Sequence, residues 1–259
     1  MITTFKNLFL LVFVTMLFVS CNTEELFVDP ITEVGEDDTD INAEDTEDIV
    51  EDTEEVIIGP CDFSLENVEP NTTILINCIM DLQGQIINVP ANVSIVYEGG
   101  DIINGTLNFS DNGIISGELL NSSLTLSGST PQLKDTTFNF DPKRWDIVEG
   151  VVSDEVAYSN KIIINQVMKM VKELGATTIK IDSINAFFQT QPEFVLQKQT
   201  PQDSAIQVPS DIHLILTENS HLRVQPNNYK NTILITLFRA DNSILEGGIL
   251  HGDRDTHDY

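Results

Sequence analysis

Short apolar runs separated by asparagine, glycine, serine and aspartate make up most of the sequence after Cys61. Most of the runs alternate apolar and polar residues over four to six positions, which is the pattern that predicts a β-strand. The clearest are Thr73–Cys78, Gln85–Val89, Val93–Glu98, Thr106–Phe109 and Leu124–Gly128. No long helical pattern interrupts them before Trp145. The sequence therefore predicts an all-β fold.

A weak internal repeat favours one kind of β fold. The stretch IINGTL (Ile102–Leu107) recurs as IISGEL (Ile114–Leu119) and again as ILEGGI (Ile244–Ile249). A strand, a tight turn at glycine and another strand form the unit that a β-solenoid repeats. An antiparallel β-sandwich has strands of similar length, but it prefers hairpin turns. Only Asn104-Gly105 and Asn112-Gly113 are placed as such turns, so the solenoid is the preferred interpretation.

One helix is predicted in the middle of the chain. Its apolar face is formed by Ile163, Val167, Met170, Val171 and Leu174. Ser159 or Asn160 is placed to cap its start, and Gly175 is placed to end it. Residues 177–182 then follow as a strand. A single helix before coiled strands suits the open end of a solenoid, which otherwise exposes apolar side chains and unpaired backbone groups.

The stretch from Ser153 to Asp255 resembles the entry into a right-handed parallel β-helix of the pectin lyase-like superfamily. The resemblance is carried by SDEVAYSNKIIINQVMKMVKELGATTIKID, IQVPSDIHLILTENSHLRV and DNSILEGGILHGDRD. It implies a parallel β-helix (solenoid) with one N-terminal capping α-helix, preceded by a smaller β-solenoid-like segment at Cys61–Phe140. It also implies binding of an extended polysaccharide along a parallel-sheet face, often with cleavage by lyase or hydrolase chemistry.

The first 21 residues resemble a bacterial lipoprotein signal peptide. Lys6 precedes an apolar run, Leu8–Val19, which is too short to span a bilayer of about 30 Å. The run ends in FVSC, similar to a lipobox in which Cys21 is acylated. The alternative is an ordinary secretory signal with an incidental cysteine. The acids directly after Cys21 resemble the export signal of surface lipoproteins in Bacteroidetes-type bacteria, so we expect an outer-membrane lipid anchor with surface exposure, or retention in the periplasm.

The net charge of −28 is concentrated after this signal. Residues 22–59 contain 16 aspartates and glutamates and no lysine or arginine. Removing those charges and the positive charge of Lys6 leaves −13 for the remaining residues. Such a segment has too few apolar residues to form a core, and its like charges repel, so we expect a disordered tether. The sequence has no basic stripe to neutralise phosphates, which argues against a nucleic-acid partner.

The number of cysteines is consistent with a disulfide bond in a chain that has left the cytoplasm. With Cys21 acylated, Cys61 and Cys78 remain for a disulfide. In the chain-entropy model, such a bridge would contribute about 3 kcal/mol. Two buried free thiols are the alternative.

Chemistry-bearing side chains concentrate at the end of the sequence. Glycoside hydrolysis needs two carboxylates, and lyase chemistry on a uronate needs a base and a neutralising cation. If LHGDRD is extended, His251, Asp253 and Asp255 share one face. The candidate catalytic residues are therefore Asp253, Asp255, His257 and Arg254. Ordinary solvated turn residues are the alternative.

His221, Arg223 and His251 are the candidate substrate-binding residues. His221 and Arg223 alternate with Leu222 and Val224 and so share the outward face of a strand. Trp145 is expected to pack between the two β segments rather than stack on a sugar. No metal site is predicted from the residues. The cofactor stays open, with Ca²⁺ as the candidate if the protein is a uronate lyase.

Four regions follow from these patterns: a signal peptide (1–20), a tether (21–59), a small β-rich segment (60–145), and a capping helix with the first coils of a β-helix (146–259). Thr177–Tyr259 allows only about three coils. We therefore expect an N-terminal fragment of a longer protein that binds an extended polysaccharide. Cleavage by lyase or glycoside hydrolase chemistry stays open, and this chain alone is expected to be inactive. A non-catalytic adhesin or glycan-binding surface protein is the alternative. The sequence leaves open whether the protein is an enzyme.

Overall fold

The computed structural model describes residues 58–190, 205–229 and 232–257. The signal peptide, Cys21 and all but the last two residues of the predicted tether lie outside these ranges. Ten strands precede the helix: β1 Thr73–Ile76, β2 Ile79–Asp81, β3 Ile86–Val89, β4 Ser94–Tyr97, β5 Asp101–Ile103, β6 Gly105–Phe109, β7 Ile114–Ile115, β8 Leu124–Gly128, β9 Gln132–Leu133 and β10 Thr137–Asn139.

The helix α1, Asp154–Glu173, comes next. Six described strands follow it: β11 Thr178–Ile181, β12 Ile184–Phe188, β13 Ile206–Gln207, β14 His213–Val224, β15 Ile235–Thr236 and β16 Ile244–His251. Two short 3-10 helices are Gly117–Leu119 and Pro142–Trp145. The chain is thus mostly β with one α-helix in the described ranges, as the sequence predicts. Each of the five strands expected from alternation is found within two residues of its predicted ends.

Every strand pair in the described part of the chain is parallel. The sheets run β1-β4-β7-β9, β3-β6-β8, β2-β5 and β13-β15, with a fifth sheet in the order β10-β11-β14-β12, in which β16 also pairs with β14. Partners before the helix lie about 20 residues apart in sequence, as Thr73 does from Ser94 and Ile86 does from Thr106. The pairing contains none of the hairpins that an antiparallel sandwich requires.

In-register pairing places like residues in columns inside the molecule. One buried column is Phe138, Ile179 and Leu214, and another is Ala186 and Leu222. Because side chains alternate between the two faces of a strand, the residues between them point outward. Strand β10 lies before residue 145, the predicted boundary between the two β segments, and its partner β11 lies after it, so the pairing crosses that boundary.

Left-handed asparagines turn the chain between strands. Asn71, Asn92 and Asn112 have φ of 61°, 59° and 48°. Asparagine tolerates this conformation better than other side chains that carry a Cβ. The side chains also bond to each other, since Asn92 Nδ2 donates to Asn71 Oδ1 at 2.8 Å. Asp211 and Asn242 repeat the arrangement after the helix.

The N-cap of helix α1 lies six residues before Ser159, the earlier of the two predicted caps, and the helix ends where predicted. Its N-cap is Ser153, whose hydroxyl accepts a bond from Val156 N, rather than Ser159 or Asn160. The apolar pattern starts late because Ala157 is the only buried apolar residue of the first turn. At the other end, Gly175 has φ +97° and donates to Lys172 O, while Ala176 N donates to Val171 O, which is a Schellman motif.

The helix also contacts strands on both sides of it in sequence. Leu133 N in β9 donates to Leu174 O, and Asn165 bonds to Ala205 O and to Gln207 N in the β13 segment. Trp145 is buried between the helix and β10, and its ring packs edge-to-face with Phe138 at 6.4 Å, as expected for a junction residue. No helix among the described residues is long and apolar enough to cross a membrane.

Two covalent or ionic links reinforce the first block of strands. Cys61 and Cys78 form a disulfide with a Cα–Cα distance of 5.0 Å. Arg144 makes a bidentate pair with Asp101, with its nitrogens 2.8 and 3.0 Å from the two carboxylate oxygens. Since both side chains are about three-quarters buried, this pair connects the short helix before α1 to strand β5.

Asn160 holds the helix to the sheet through its side-chain amide. Although wholly buried, it accepts from Val148 N at 3.0 Å and donates to Val148 O and Phe187 O at 2.9 and 3.1 Å. Its carboxamide thus replaces the peptide group of a neighbouring strand. Buried polar groups left without a partner cost about 1–3 kcal/mol each.

We expect Asn160→Ala to lower the free energy of unfolding by about 2–4 kcal/mol, because three backbone groups lose their partner at once. Urea unfolding followed by circular dichroism measures this change. Gln166→Ala is the matched control, since Gln166 is exposed on the same helix and its loss should change the stability by less than about 0.5 kcal/mol. A similar small effect of both substitutions would contradict the role assigned to Asn160.

Candidate ligand-binding face

The outward side of the sheet formed by β12, β14 and β16 brings together polar and aromatic side chains. In β14, Leu222 and Val224 are buried, whereas His221 and Arg223 are partly exposed. The register aligns them in two columns, Asn185–His221–Ile249 and Phe187–Arg223–His251. We call Asn185, Phe187, His221, Arg223 and His251 the His–Arg face. The three predicted substrate-binding residues therefore meet on one surface.

Two histidines form the centre of this face. His221 Nδ1 lies 2.9 Å from His251 Nε2, and the two rings are nearly parallel at a centroid distance of 5.1 Å. Partial burial lowers the pKa of His251, and the positive charge of Arg223 and the neighbouring His221 lower it further. All three causes disfavour the imidazolium form.

Arg223 is held in place by its neighbours on β12. Its Nε donates to Asn185 Oδ1 at 2.7 Å, and its guanidinium carbon lies 5.9 Å from the centre of the Phe187 ring. Asn185 is itself fixed, because its backbone N–H donates to Glu149 Oε1 at 2.6 Å. Within the described ranges, the two terminal nitrogens of Arg223 have no hydrogen-bond partner, so they remain open to a ligand.

A bend in β14 separates this face from a second set of polar residues. The register between β14 and β16 shifts between Leu216 and His221. Gly247 and Gly248 adopt φ of +73° and +69° opposite the shift, and a Cβ on Gly247 would clash with Leu216 O. The two glycines of the third repeat copy are thus required by close backbone approach.

Charged groups on the other side of the bend are paired. His213 Nε2 lies 2.8 Å from Glu246 Oε2, and Lys180 Nζ lies 2.8 Å from Asp182 Oδ1.

The predicted catalytic cluster does not continue the strand. β16 ends at His251, and residues 253–256 form a turn in which Thr256 N donates to Asp253 O. The expected alternation of His251, Asp253 and Asp255 on one extended face is therefore wrong beyond His251. Asp255 and Arg254 are exposed in the turn.

Asp253 contacts a histidine instead of a second carboxylate. Its Oδ2 lies 2.9 Å from His257 Nδ1, and both side chains are mostly buried. Among the described residues, no three histidine, cysteine, aspartate or glutamate side chains converge where they could hold a metal ion.

Two members of the face could not be selected from the sequence. Asn185 and Phe187 belong to the alternating run of β12, so their outward direction was readable. Their position beside His221 and Arg223 depends on the register between β12 and β14, in which Ile184 pairs with Ser220, 36 residues later in the sequence. Nothing in the local sequence determines that register.

The His–Arg face is an open surface rather than a cavity. Cavities of about 330 and 380 Å³ lie along α1, one beside β8 and one beside Trp145, and a third of about 460 Å³ lies next to Arg144. None of the three is lined by a residue of the face. Its side chains are instead aligned across three neighbouring parallel strands.

No protein-family model matches the sequence, and no solved structure matches it. Part of the chain is similar to the SPbeta prophage-derived uncharacterized protein YorA of Bacillus subtilis (strain 168), with 34% identity over 79 residues. Those residues make up 30% of this chain and 12% of that protein. The chain thus matches only a small part of the relative's length.

The lowered pKa of His251 predicts a pH-dependent stability. The unfolded chain binds this proton more readily, so the free energy of unfolding falls as the pH drops from the ordinary value of 6.5 towards the lower pKa of the folded state. We expect His251→Gln to remove part of this decline. Urea unfolding at about pH 7.5 and about pH 5.5 measures it.

Lys134→Ala is the control for this experiment. Lys134 is exposed and far in sequence from the face, so the decline should persist in that variant. An equal decline in His251→Gln and in the unaltered protein would contradict the assignment to His251.

Proposed function

We propose that the protein is a lipid-anchored bacterial surface protein that binds an extended polysaccharide along the His–Arg face. In this proposal the parallel sheets are coils of a right-handed β-solenoid of the pectin lyase-like type, with α1 as its capping helix. The observation that carries the function is the alignment of Arg223, His221, His251, Asn185 and Phe187 on one open parallel-sheet surface.

Sheet geometry supports the solenoid. The described pairs are all parallel, strands recur in three sheets before the helix, and buried columns continue from β10 through β14. Parallel strands joined by crossovers are right-handed in nearly all proteins. The left-handed asparagines at successive turns are consistent with regular corners.

The composition of the face supports a glycan ligand. Arg223 offers two terminal nitrogens that have no partner among the described residues, the histidines and Asn185 offer further polar atoms, and Phe187 offers an apolar ring. Few, well-placed polar groups beside aromatic surface are typical of sites that orient small polar molecules. The alternative, a non-catalytic adhesin or glycan-binding surface protein, uses the same surface and differs in having no cleavage step.

Binding is better supported than cleavage in this chain. Three described acids that are bonded to the face or lie next to it in sequence already contact other groups: Glu246 contacts His213, Asp253 contacts His257, and Glu149 accepts from the backbone N–H of Asn185. The Asp253–His257 pair is the one arrangement that favours a second candidate function, because a carboxylate that orients an imidazole is used in acid–base catalysis. Loss of glycan cleavage in Asp253→Asn would support it.

Anchoring is proposed from the N-terminal sequence. Cys21 ends an apolar run in a lipobox-like stretch, and 38 residues rich in acids separate it from Pro60. As a random coil, such a segment spans about 35 Å, and charge repulsion extends it further. This length would hold the β structure away from the membrane.

A glycan panel tests the function. We expect the purified full-length chain to bind at least one extended polysaccharide, and Arg223→Ala to weaken that binding about tenfold, as the loss of a charge-assisted hydrogen bond predicts. Lys134→Ala is matched in charge and lies on another surface, so it should bind like the unaltered protein. Binding of no glycan, or equal weakening by both substitutions, would overturn the proposal.

A further inference from the structure

The His221–His251 pair lies in an unusual electrostatic setting. The chain has 41 acids against 13 lysines and arginines, yet all four histidines fall within residues 213–257. Two of these histidines, His213 and His257, have a carboxylate partner. The other two contact each other and lie beside Arg223.

The described groups that face this pair leave the positive charge of the adjacent Arg223 uncompensated. Strand β12 contributes the neutral Asn185 and Phe187, β14 contributes Arg223, and β16 contributes Ile249. The nearby acids, Glu149, Glu246 and Asp253, have the other partners named above. In the described part of the chain, no carboxylate contacts His221, Arg223 or His251.

Such a pair can form its hydrogen bond with both rings neutral, and the positive charge of Arg223 opposes each added proton. Two imidazole nitrogens 2.9 Å apart can share one hydrogen bond, in which one nitrogen donates and the other accepts. A second proton would place two imidazolium rings against each other and beside a guanidinium. Like charges at this distance oppose ionisation strongly.

We propose that Arg223, His221 and His251 form a proton-gated site for one anionic group of the ligand, a carboxylate or a sulfate ester. The anion supplies the negative charge that the face lacks, so its binding takes up a proton on the histidine pair. The inference names the chemistry of the ligand and rests on the function proposed above.

Arg223 is suited to make the first contact. Asn185 holds its Nε, which leaves the two terminal nitrogens to form a bidentate pair with two oxygens of the anion. Because the Phe187 ring lies on one side of the guanidinium, fewer rotamers are open to it, and less entropy is lost on binding.

Proton binding and anion binding at this site are thermodynamically linked, and this linkage determines how the affinity for the anion changes with pH. An anion beside the pair favours the imidazolium form and raises its pKa in the complex above that in the free protein. The bound state then carries more protons than the free state, so binding strengthens as the pH falls between the two pKa values. Each unit of difference between them corresponds to about a tenfold change in affinity.

Inorganic sulfate is a direct probe of the site. We expect NMR titration of the full-length chain to show that sulfate raises the pKa of the His221–His251 pair by about 0.5 units or more relative to chloride at equal ionic strength. His213 and His257 are internal controls, because each already has a carboxylate partner. Arg223→Ala should abolish the increase.

Two results would overturn the proposal in this experiment. In one, sulfate shifts all four histidines alike, which is general screening. In the other, it shifts the pair equally with and without Arg223, which removes the arginine from the site.

Oligosaccharides then distinguish the source of the anion. A uronate oligosaccharide, a sulfated oligosaccharide and a neutral one are compared at about pH 5.5 and about pH 7.5. We expect one of the two anionic ligands to bind about tenfold more tightly at the lower pH, and His251→Gln to remove that difference. The neutral ligand should show no such gain.

The outcomes separate this inference from the function on which it rests. If a neutral glycan binds through Arg223 with no pH dependence, the polysaccharide function stands and the proton-gated anion site is wrong. If sulfate raises the pKa of the histidine pair but no glycan binds at either pH, the anion site stands and the polysaccharide function is wrong.

Discussion

In-register parallel pairing is the constraint on which the rest of the structure depends. Each inward side chain lies against another inward side chain, as Leu214 does against Ile179 and Leu222 does against Ala186. The same register determines the outer surface: Arg223 lies beside His251 because Leu222 lies beside Leu250. A slip of one residue would exchange the two faces of a strand, so the core that stabilises the fold also fixes the composition of the candidate site.

Helix α1 interrupts this pattern, yet backbone groups of the strands beside it still have hydrogen-bond partners. Peptide groups at the edge of a sheet need partners, and most backbone groups of a helix are already bonded to one another. The side chains of Asn160 and Asn165 supply partners instead. Each one both donates a hydrogen bond to a nearby backbone carbonyl and accepts one from a nearby backbone N–H. Together with the bond from Leu133 to Leu174 O, they connect α1 to strands before and after it.

Local patterns predicted local structure well. Alternation located β1, β3, β4, β6 and β8, and Gly175 located the end of the helix, because each signal depends on neighbouring residues alone. The helix start was wrong because the first turn has one buried apolar residue, although Ser153 followed by two acids is itself a start signal. The site was harder to predict: the outward direction of His221 and Arg223 was readable, but their neighbours depend on pairing across 28 to 36 residues.

The acidic character of the chain has opposite effects on an anionic ligand at long and short range. A net charge of −28 repels anions at a distance, but physiological salt screens such repulsion beyond about 8 Å. Contact with Arg223 acts over a few ångströms and is screened much less. Recognition on the proposed face would then depend on contact rather than on long-range attraction, and an anion that failed to reach Arg223 would gain nothing from the surrounding surface. The orientation of this one guanidinium by Asn185 and Phe187 is therefore the feature on which discrimination rests.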